Sequence, residues 1–378
     1  MFVVKKLLDK ILQYFMFFMM VYFIKKCYYI YSKEVCIMKC AKIAGEKLIE
    51  TVIVDEPNYN KKFVSLKITR AGICGSDIHN WDIGNPVGLI MGHEFCGIVE
   101  NPGTRVDLNV GDRVTALPIS PCGKCKACKT GNVQYCPDTW KYAVGLAVTN
   151  QGSYAEKTAV RSDMVVKVPD SLTDDEVAMV EPTAVALHAV HLADIKVGDN
   201  VLVIGAGVIG DLCAMFAKKN GANYVAISET NDKRGRKAVE LACADEFFDA
   251  KSPEFYQNVL KNNPFGYDVV IDCSGNSKAV ESALVSCRPN GTVVLVGVSL
   301  LPIEMASALA VTKELVLKGA IAYTEDEFKE CVSLMERKNI DVSVFVDDIV
   351  SLDDVQKSFE RLTSGDDDAI KILIDPTK

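Results

Sequence analysis

The chain has 378 residues, of which 49% are hydrophobic and 24% are charged, and its formal net charge is −8. These values fit a folded globular protein of two domains and exclude a disordered or fibrous chain. The acidic balance, with no basic tract beyond short lysine pairs, argues against nucleic acid as a partner.

The first 37 residues differ from the rest of the chain. Residues 11–24 are almost wholly apolar and aromatic, but this run is shorter than the ~20 residues of a membrane-spanning helix. The Lys-Glu-Val sequence at residues 33–35 can be encoded by a bacterial ribosome-binding sequence just before Met38. We therefore predict that residues 1–37 are a translated leader outside the fold, and a weak membrane anchor or an ordered extension remain as alternatives.

From Met38 onward, short alternating runs separated by Gly, Pro and Asn predict a β-rich domain. Two segments, GICGSDIH (72–79) and MGHE (91–94), interrupt this pattern with a thiol at Cys74, an imidazole at His93 and a carboxylate at Glu94. Zinc prefers these three ligand types, and a catalytic zinc takes three of them and leaves one position open. The two segments together therefore predict a catalytic metal site.

Four cysteines follow in the pattern C-x2-C-x2-C-x7-C, within a lobe that we place at residues 118–140. They are Cys122, Cys125, Cys128 and Cys136. Four thiolates complete a tetrahedron with no open position, which is typical of a structural zinc. An iron–sulfur cluster and a zinc-ribbon nucleic-acid module are the alternatives, but the last gap of seven residues and the acidic chain argue against them.

Residues 171–195 are predicted to be helical. Glu181 lies among apolar residues beside a proline, so a buried carboxylate there needs a partner, such as a metal or its bound water. An exposed carboxylate at a helix break is the alternative that local sequence leaves open. His188 and His191 lie three residues apart on the same helix, where packing against a neighbouring domain is favoured over metal binding.

The apolar run at residues 201–204 leads into GAGVIG at residues 205–210, and a helix follows. This strand–turn–helix context is the one in which the motif binds a dinucleotide. The glycines permit a tight turn, a close approach to the pyrophosphate and helix packing on the strand, and the helix N-terminus faces the phosphates. The cofactor contacts predicted in this turn are Gly205, Gly207, Val208, Ile209 and Gly210.

A second apolar strand at residues 224–227 ends at Glu229. An acid at this point accepts hydrogen bonds from the adenosine ribose and repels a 2′-phosphate, which favours NAD over NADP. Glu229 is therefore a predicted cofactor contact. Arg234 lies just beyond it and is also a predicted cofactor contact that could soften the preference for NAD, although the solvated start of the next helix is the commoner role for an arginine at such a position. Later strand ends add Ser274, Gly275 and Val298, because ligands of an open parallel sheet lie at the carboxyl ends of its strands.

Taken together, these motifs make the chain from Met38 onward resemble the zinc-dependent medium-chain alcohol and polyol dehydrogenases, and most closely the 2,3-butanediol and sorbitol dehydrogenase branch. The resemblance rests on GICGSDIH, MGHEFCGIV, the four-cysteine lobe, VEPTAVALHAV and VLVIGAGVIG, in the family's order. It implies an α/β protein with a GroES-like β-rich catalytic domain and a Rossmann coenzyme domain with a doubly wound parallel sheet. The implied domains are 38–190 with 323–378, and 191–322.

The resemblance also implies roles for single residues. Cys74 and His93 match the two constant catalytic zinc ligands, and the third ligand is Glu94 or Glu181, because classical alcohol dehydrogenases have a cysteine where this chain has Glu181. The family likeness further implies an acid that orients the ligand histidine and a two-residue proton relay. These positions correspond to Asp77 and to Ser76 with His79, respectively.

The implied activity is reversible hydride transfer between NAD and a secondary alcohol, vicinal diol or polyol, with one catalytic and one structural zinc. L-Threonine 3-dehydrogenase activity on the same architecture is the nearest alternative, and a non-catalytic zinc- and nucleotide-binding protein is another. The family likeness implies a homo-oligomer, either a tetramer or a dimer. Cysteine spacings that suit metal binding predict a cytoplasmic location.

Overall fold

The computed structural model describes Met16, Met19, Met20 and residues 36–57, 59–299 and 301–378. The larger of the two compact units comprises Lys39–Ile53 and Pro57–Lys378, and the smaller includes the described residues 36–38 and 54–56. The predicted leader at residues 1–37 lies almost entirely outside the described residues and stays a prediction. Within those residues, no helix has the length and apolar character needed to span a membrane.

The described strands are numbered in chain order. They are β1 Ile37–Gly45, β2 Leu48–Asp55, β3 Phe63–Gly72, β4 Glu94–Asn101, β5 Arg113–Ala116, β6 Lys157–Arg161, β7 Val165–Lys167, β8 Asn200–Ile204, β9 Tyr224–Glu229, β10 Glu246–Asp249, β11 Tyr267–Asp272, β12 Cys287–Leu295, β13 Val316–Gly319, β14 Val346–Val350 and β15 Lys371–Ile374.

The α-helices of the described chain from residue 36 onward are Gly75–Ile83, Lys126–Lys129, Asp174–Ala178, Val180–Ala193, Val208–Lys219, Asp232–Glu240, Phe255–Lys261, Ser277–Ser286, Ser307–Thr312, Glu325–Glu336 and Val355–Thr363. Short 3-10 helices lie at Val133–Tyr135, Ser162–Met164, Ser343–Phe345 and Leu352–Asp354.

One sheet contains seven strands in the order β14-β15-β3-β4-β5-β7, with β6 also paired to β3. Its neighbours are antiparallel except β14 and β15, which are parallel. Alternate residues of β3, Val64, Leu66 and Ile68, are fully buried, as expected for a strand with one face on a core. The final strand, β15, pairs with the end of β3 and so lies beside the loop that carries Cys74.

The other large sheet contains six parallel strands in the order β10-β9-β8-β11-β12-β13. In order of first appearance this is 3-2-1-4-5-6, the doubly wound arrangement that binds dinucleotides where the strand order reverses. That reversal lies between β8 and β11. The apolar run of β8 is buried, because helices cover both faces of a parallel sheet.

The predicted helix at residues 171–195 is two helices, Asp174–Ala178 and Val180–Ala193, with Met179 between them. Thr173 caps the first helix through a capping box with Glu176, which explains why the helix begins after residue 171. The seven-stranded sheet is built from the two segments of the predicted catalytic domain, and the parallel sheet is built from the segment between them. The helix Val180–Ala193 crosses the boundary expected at residue 190. The domain limits themselves stay a prediction.

Candidate active site

Three of the predicted ligands meet beside the start of β4. Cys74 is the N-cap residue of the helix Gly75–Ile83, His93 directly precedes β4, and Glu94 is its first residue. One potential ligand atom from each lies within 4.8 Å of the other two. Cys74 is partly exposed, whereas His93 and Glu94 are buried, so the cluster opens to solvent on the cysteine side.

Asp77 orients this cluster. Its Oδ2 accepts hydrogen bonds from the Cys74 backbone N–H at 3.1 Å and from the Tyr154 hydroxyl at 2.7 Å. Its Oδ1 lies 3.6 Å from Nδ1 of His93. A carboxylate beside Nδ1 holds a proton on that nitrogen and leaves Nε2 free to bind a metal. Asp77 therefore lies where an acid that orients the ligand histidine would have to lie.

The two predicted relay residues lie one helical turn apart on Gly75–Ile83. The Ser76 hydroxyl is 3.4 Å from Cys74 Sγ and 3.5 Å from His93 Nε2. His79 is exposed. Ser76 thus lies at the cluster, and His79 lies where it can exchange protons with water.

Glu181 is not among the three grouped ligands, although it is buried in the first turn of Val180–Ala193. The Tyr323 hydroxyl donates a 2.8 Å hydrogen bond to its Oε1. Burial raises the pKa of the Glu181 carboxyl to about 7, the electrostatic effect of His93 opposes this shift, and the charge of Glu94 adds to it. Glu181 is therefore near the cluster but is held by another partner.

Glu94 has a partner from the last strand of the chain. The ammonium of Lys371 donates to Oε2 of Glu94 and, at 2.9 Å, to the carbonyl of Ile73. Both side chains of this ion pair are almost completely buried. A buried carboxylate needs such compensation, and Lys371 supplies it when no metal is bound.

The residues at this site fit a zinc ion. They offer one thiol, one imidazole and one carboxylate, which are zinc's preferred protein ligands. Nδ1 of His93 and Oδ1 of Asp77 are both buried without a hydrogen-bond partner, and they face each other as an acid–histidine–metal triad requires.

The second cysteine group also comes together in space. Sulfur atoms of Cys122, Cys125, Cys128 and Cys136 all lie within 4.8 Å of one another. Burial alone would raise the pKa of the Cys136 thiol, but backbone N–H groups of Cys122 and Asp138, at 3.2 and 3.4 Å, help to lower it to about 6. Backbone N–H groups of Lys124 and Cys125 also lower the pKa of the Cys122 thiol, whereas burial raises that of Cys128 to about 12. Four sulfurs grouped in this way fit a structural zinc.

The glycine motif forms the turn between β8 and the helix Val208–Lys219. Gly205 has a φ of +101°, and a Cβ on Gly210 would lie 1.8 Å from the carbonyl oxygen of Gly205. No heavy atom lies within 4 Å of a Cβ built on Gly207, so its backbone is open to a ligand. Val208 and Ile209 begin the helix whose N-terminus points at this open space.

A cavity of about 510 Å³ lies at this end of the parallel sheet. The predicted contacts Gly205, Glu229 and Ser274 line it, whereas Arg234 and Val298 do not. Its other lining residues include Ser228, Thr230, Lys251, Asn276 and Lys278. A cavity of this size beside the glycine turn fits part of a dinucleotide.

Glu229 is fixed within this cavity. Its Oε2 accepts the backbone N–H of Ala206 at 2.8 Å, and its Oε1 accepts those of Thr230 and Asn231 at 2.6 and 2.9 Å. The carboxylate is therefore fixed by one backbone donor of the glycine turn and by two of the loop after β9, although it still lines the cavity.

The loops after β11 and β12 are in contact beside the same cavity. Gly275, in the first loop, has a φ of +70°. A Cβ on Gly275 would lie 2.9 Å from the backbone nitrogen of Val298, in the second loop. Only a glycine allows this close approach of the two loops.

Three residues at the cluster were not predicted from the sequence: Tyr154, Tyr323 and Lys371. Lys371 had a detectable signal, since it is a single charge inside the apolar final strand and is fully buried. Tyr323 directly precedes a helix-capping sequence, which marks a turn but no partner. Nothing near Tyr154 in the sequence points to Asp77.

His188 and His191 contact a carboxylate. Nδ1 of each lies 2.9 Å from an oxygen of Glu327, on the helix Glu325–Glu336. Neither belongs to the metal-ligand groups found among the described residues. The sequence favoured packing against a neighbouring domain, but the partner comes from the segment 323–378, which the sequence prediction places in the same domain as His188.

Comparison with known families gives two matches along the chain. The alcohol dehydrogenase GroES-like domain matches residues 60–170, and the zinc-binding dehydrogenase family matches residues 208–337. The first match covers most of the seven-stranded sheet and both groups of candidate metal ligands. The second covers most of the parallel sheet and begins in the glycine motif.

Individual relatives match over most of their length. D-xylulose reductase A of Aspergillus niger is 34% identical over 327 residues, which are 83% of this chain and 90% of that protein. The structure of 2R,3R-butanediol dehydrogenase from Bacillus subtilis is 29% identical with a TM-score of 0.78, and a zinc-binding dehydrogenase from Sinorhizobium meliloti 1021 bound to NADP is 28% identical with a TM-score of 0.79. Each structural match covers 90% of this chain and 99% of the other.

Proposed function

The chain belongs to the family of zinc-dependent medium-chain alcohol and polyol dehydrogenases, and we propose that it transfers hydride reversibly between NAD and a secondary alcohol or vicinal diol. The observation that carries the substrate class is the pair of buried carboxylates, Glu94 and Glu181, beside Cys74 and His93. Relatives whose names state their substrates, a xylulose reductase and a butanediol dehydrogenase, support the same class.

Cys74, His93 and Glu94 are the proposed ligands of the catalytic zinc, because their donor atoms are already grouped. When bound, zinc would supply Lewis acidity that lowers the pKa of the substrate hydroxyl. Asp77 keeps His93 in the tautomer that binds metal. Glu181, held by Tyr323, stays next to the open side as a hydrogen-bond acceptor for the substrate.

Proton transfer is assigned to Ser76 and His79. Ser76 lies at the cluster and can accept the proton of the substrate hydroxyl, and the exposed His79 can pass a proton to water. The family likeness implies that the nicotinamide ribose connects the two residues. The helix Gly75–Ile83 presents both side chains on one face, which is why a three-residue spacing suits the task.

NAD is the proposed coenzyme, bound at the turn of Gly205, Gly207, Val208, Ile209 and Gly210. Glu229 lines the adjacent cavity and its fixed carboxylate would accept the ribose hydroxyls and repel a 2′-phosphate. Additional contacts are proposed from Arg234, Ser274, Gly275 and Val298. Since one structural neighbour was solved with NADP, the preference needs direct measurement.

A second zinc is proposed in the four-cysteine lobe, where it would cross-link a segment with little secondary structure. We also propose that the protein acts in the cytoplasm as a homo-oligomer. The outer strand β13 exposes Val316 and Leu317, and an exposed apolar edge strand suits pairing with a second copy. Light scattering of the purified chain tests the oligomeric state.

The deciding experiment follows NADH and NADPH absorbance with the purified full chain. Substrates are butanediol stereoisomers, sorbitol, xylitol, threonine and ethanol, each before and after chelation of zinc. Chelator-sensitive, NAD-linked activity on a diol or secondary alcohol supports the proposal. A preference for threonine would favour the alternative function, L-threonine 3-dehydrogenase. If the zinc-bound protein oxidised none of these substrates, the proposed substrate class would be wrong.

A further inference from the structure

Two segments beside the candidate metal ligands are linked by side-chain hydrogen bonds at two separate points. One is Val180–Ala193, which carries Glu181, and the other is Glu325–Glu336, which directly follows Tyr323 and Thr324. At the first point the Tyr323 hydroxyl donates to Glu181. At the second, Glu327 accepts from His188 and His191 of the first helix.

The backbone around Tyr323 is shaped to aim its hydroxyl. Ala322, the residue before it, has a φ of +49°, a left-handed conformation that an alanine adopts only when its surroundings impose it. Thr324 then caps the following helix through a capping box with Glu327. The Tyr323 ring packs against Phe328 with centroids 5.3 Å apart, so the ring has little freedom to turn.

Glu327 anchors this segment. One of its oxygens accepts the backbone N–H of Thr324 at 2.8 Å, and the carboxylate also contacts both histidines. Burial alone would raise its pKa, but the hydrogen bonds from His188, His191 and Thr324 hold it well below the ordinary value. Glu327 is therefore charged and bound at the pH at which the enzyme works.

Without the hydrogen bond from Tyr323, the Glu181 carboxylate would be expected to move toward another partner. It is buried, its helix contacts β4, and the charges of both His93 and Glu94 act on its carboxyl. A buried carboxylate without a donor seeks a cation. Lys371 also acts on the Glu181 carboxyl but is already paired with Glu94, so a bound metal would be the cation able to take a further ligand, and its open position is the one that the substrate needs.

We infer that Tyr323 is a positioning residue, held by the Glu327–His188–His191 cluster, which keeps Glu181 beside the metal ligands and prevents it from filling the open position. This inference rests on the proposed zinc site. Burial and the neighbouring Glu181 keep the pKa of the Tyr323 hydroxyl well above its ordinary value. The hydroxyl thus remains a hydrogen-bond donor throughout the working pH range.

The test is Tyr323→Phe in the full zinc-loaded chain, because this change removes the hydroxyl and keeps the ring on Phe328. We expect kcat to fall and a chelator to remove the catalytic zinc about 10-fold more slowly, because Glu181 would then supply a further protein ligand; loss of an outer-shell partner ordinarily has the opposite effect and weakens metal binding about 10- to 100-fold. A merely structural loss would speed zinc removal instead. The cobalt-substituted protein should show altered visible bands, since these respond to coordination number.

Two further variants complete the design. The double variant Tyr323→Phe with Glu181→Gln should lose its slower release of zinc to a chelator. Glu327→Gln should show both the lower kcat and the slower zinc release, each to a smaller extent. Tyr267→Phe is the matched control, because it deletes another buried hydroxyl, which donates to the Val259 carbonyl in the other sheet's core. It should leave zinc retention unchanged.

The outcomes distinguish a failure of the proposed function from a failure of this inference. If wild-type protein binds no zinc through Cys74, the proposed function fails and the role of Tyr323 fails with it. If wild-type protein binds zinc and Tyr323→Phe loses it at the wild-type rate or faster, only the role of Tyr323 is overturned. Slower loss with lower kcat supports it.

Discussion

The hydroxyl of Tyr154 donates a 2.7 Å hydrogen bond to Oδ2 of Asp77, across 77 residues of sequence. Asp77 in turn faces Nδ1 of His93, so Tyr154 affects the position of this candidate metal ligand through one intermediate side chain. Burial and the adjacent Asp77 raise the Tyr154 pKa well above its ordinary value, and the hydroxyl therefore remains a donor.

We predict that Tyr154→Phe weakens the catalytic zinc. Without the hydroxyl, Asp77 loses an anchor and holds His93 less firmly, which should lower zinc affinity by about 10- to 100-fold. Competition with a chromogenic chelator measures this change, and Tyr267→Phe serves as the control. Unchanged affinity in Tyr154→Phe would show that the Cys74 N–H alone fixes Asp77.

Removal of the Lys371 ammonium should strongly destabilise the metal-free protein. Lys371→Met leaves Glu94 buried without its cation, and breaking such a pair costs about 3–5 kcal/mol. Denaturant unfolding of the chelated protein measures the loss. Lys371→Met combined with Glu94→Gln should recover much of it, because no uncompensated charge then remains, and equal losses in both variants would contradict the explanation.

Asp211 gives a prediction of pH-dependent stability. Both of its carboxylate oxygens are buried without a hydrogen-bond partner, and burial, with a contribution from Glu229, raises its pKa from 3.8 to about 8. The folded state therefore binds this proton more tightly than the unfolded state. Stability from Asp211 is complete below pH 3.8 and is lost as the pH rises to about 8.

Asp211→Asn should remove that loss. Its gain in unfolding free energy over wild type should grow between about pH 4 and pH 8 and then level off, with an upper slope of about 1.4 kcal/mol per pH unit. Denaturation curves at several pH values measure the difference. Asp170→Asn, at an exposed aspartate outside the helices and strands, is the control, and a constant difference between Asp211→Asn and wild type across the range would refute the prediction.

Glu229→Gln should weaken the preference for NAD. The amide has the same shape but only one acceptor oxygen, so it can accept either the N–H of Ala206 or those of Thr230 and Asn231, and it no longer repels a 2′-phosphate. Because like charges brought together cost on the order of a few kcal/mol, the ratio of kcat/KM for NAD to that for NADP should fall about 10-fold or more. A ratio equal to that of wild type would assign the selectivity elsewhere in the cavity.

Cys125→Ser should separate the two metal sites. We expect the loss of one zinc per chain and a lower melting temperature, because the lobe then lacks one of its four ligands. The zinc held by Cys74 should remain, with much of the activity at low temperature. Metal analysis together with thermal unfolding measures this outcome, and loss of both zincs would indicate that the sites are coupled.

Local sequence was sufficient wherever the interacting groups are close in the chain. Cys122, Cys125, Cys128 and Cys136 lie within one short lobe, and the turn from Gly205 to Gly210 is made by consecutive residues. Such features depend on turn geometry and on ligand spacing, which a sequence displays directly. The same holds for Asp77, whose position beside Cys74 follows from one helical turn.

The partners of the two glutamates could not be found in this way. Tyr323 lies 142 residues from Glu181, and Lys371 lies 277 residues from Glu94. Which glutamate joins the cluster depends on these distant donors. A sequence pattern shows that a buried carboxylate needs a partner, but not which part of the chain will return to provide it.

The sequence by itself thus pointed to two groups of candidate metal ligands and to the dinucleotide turn, because short-range spacing displays them, but it left Glu94 and Glu181 as alternatives for the third ligand of the first group. Only the tertiary structure decided how the ligands are held. The pairing of β15 with β3 brings Lys371 to Glu94, and the contact between Val180–Ala193 and Glu325–Glu336 brings Tyr323 to Glu181. Long-range pairing is set by the packing of whole elements, whose free energy is shared among many residues and is assigned to no single motif.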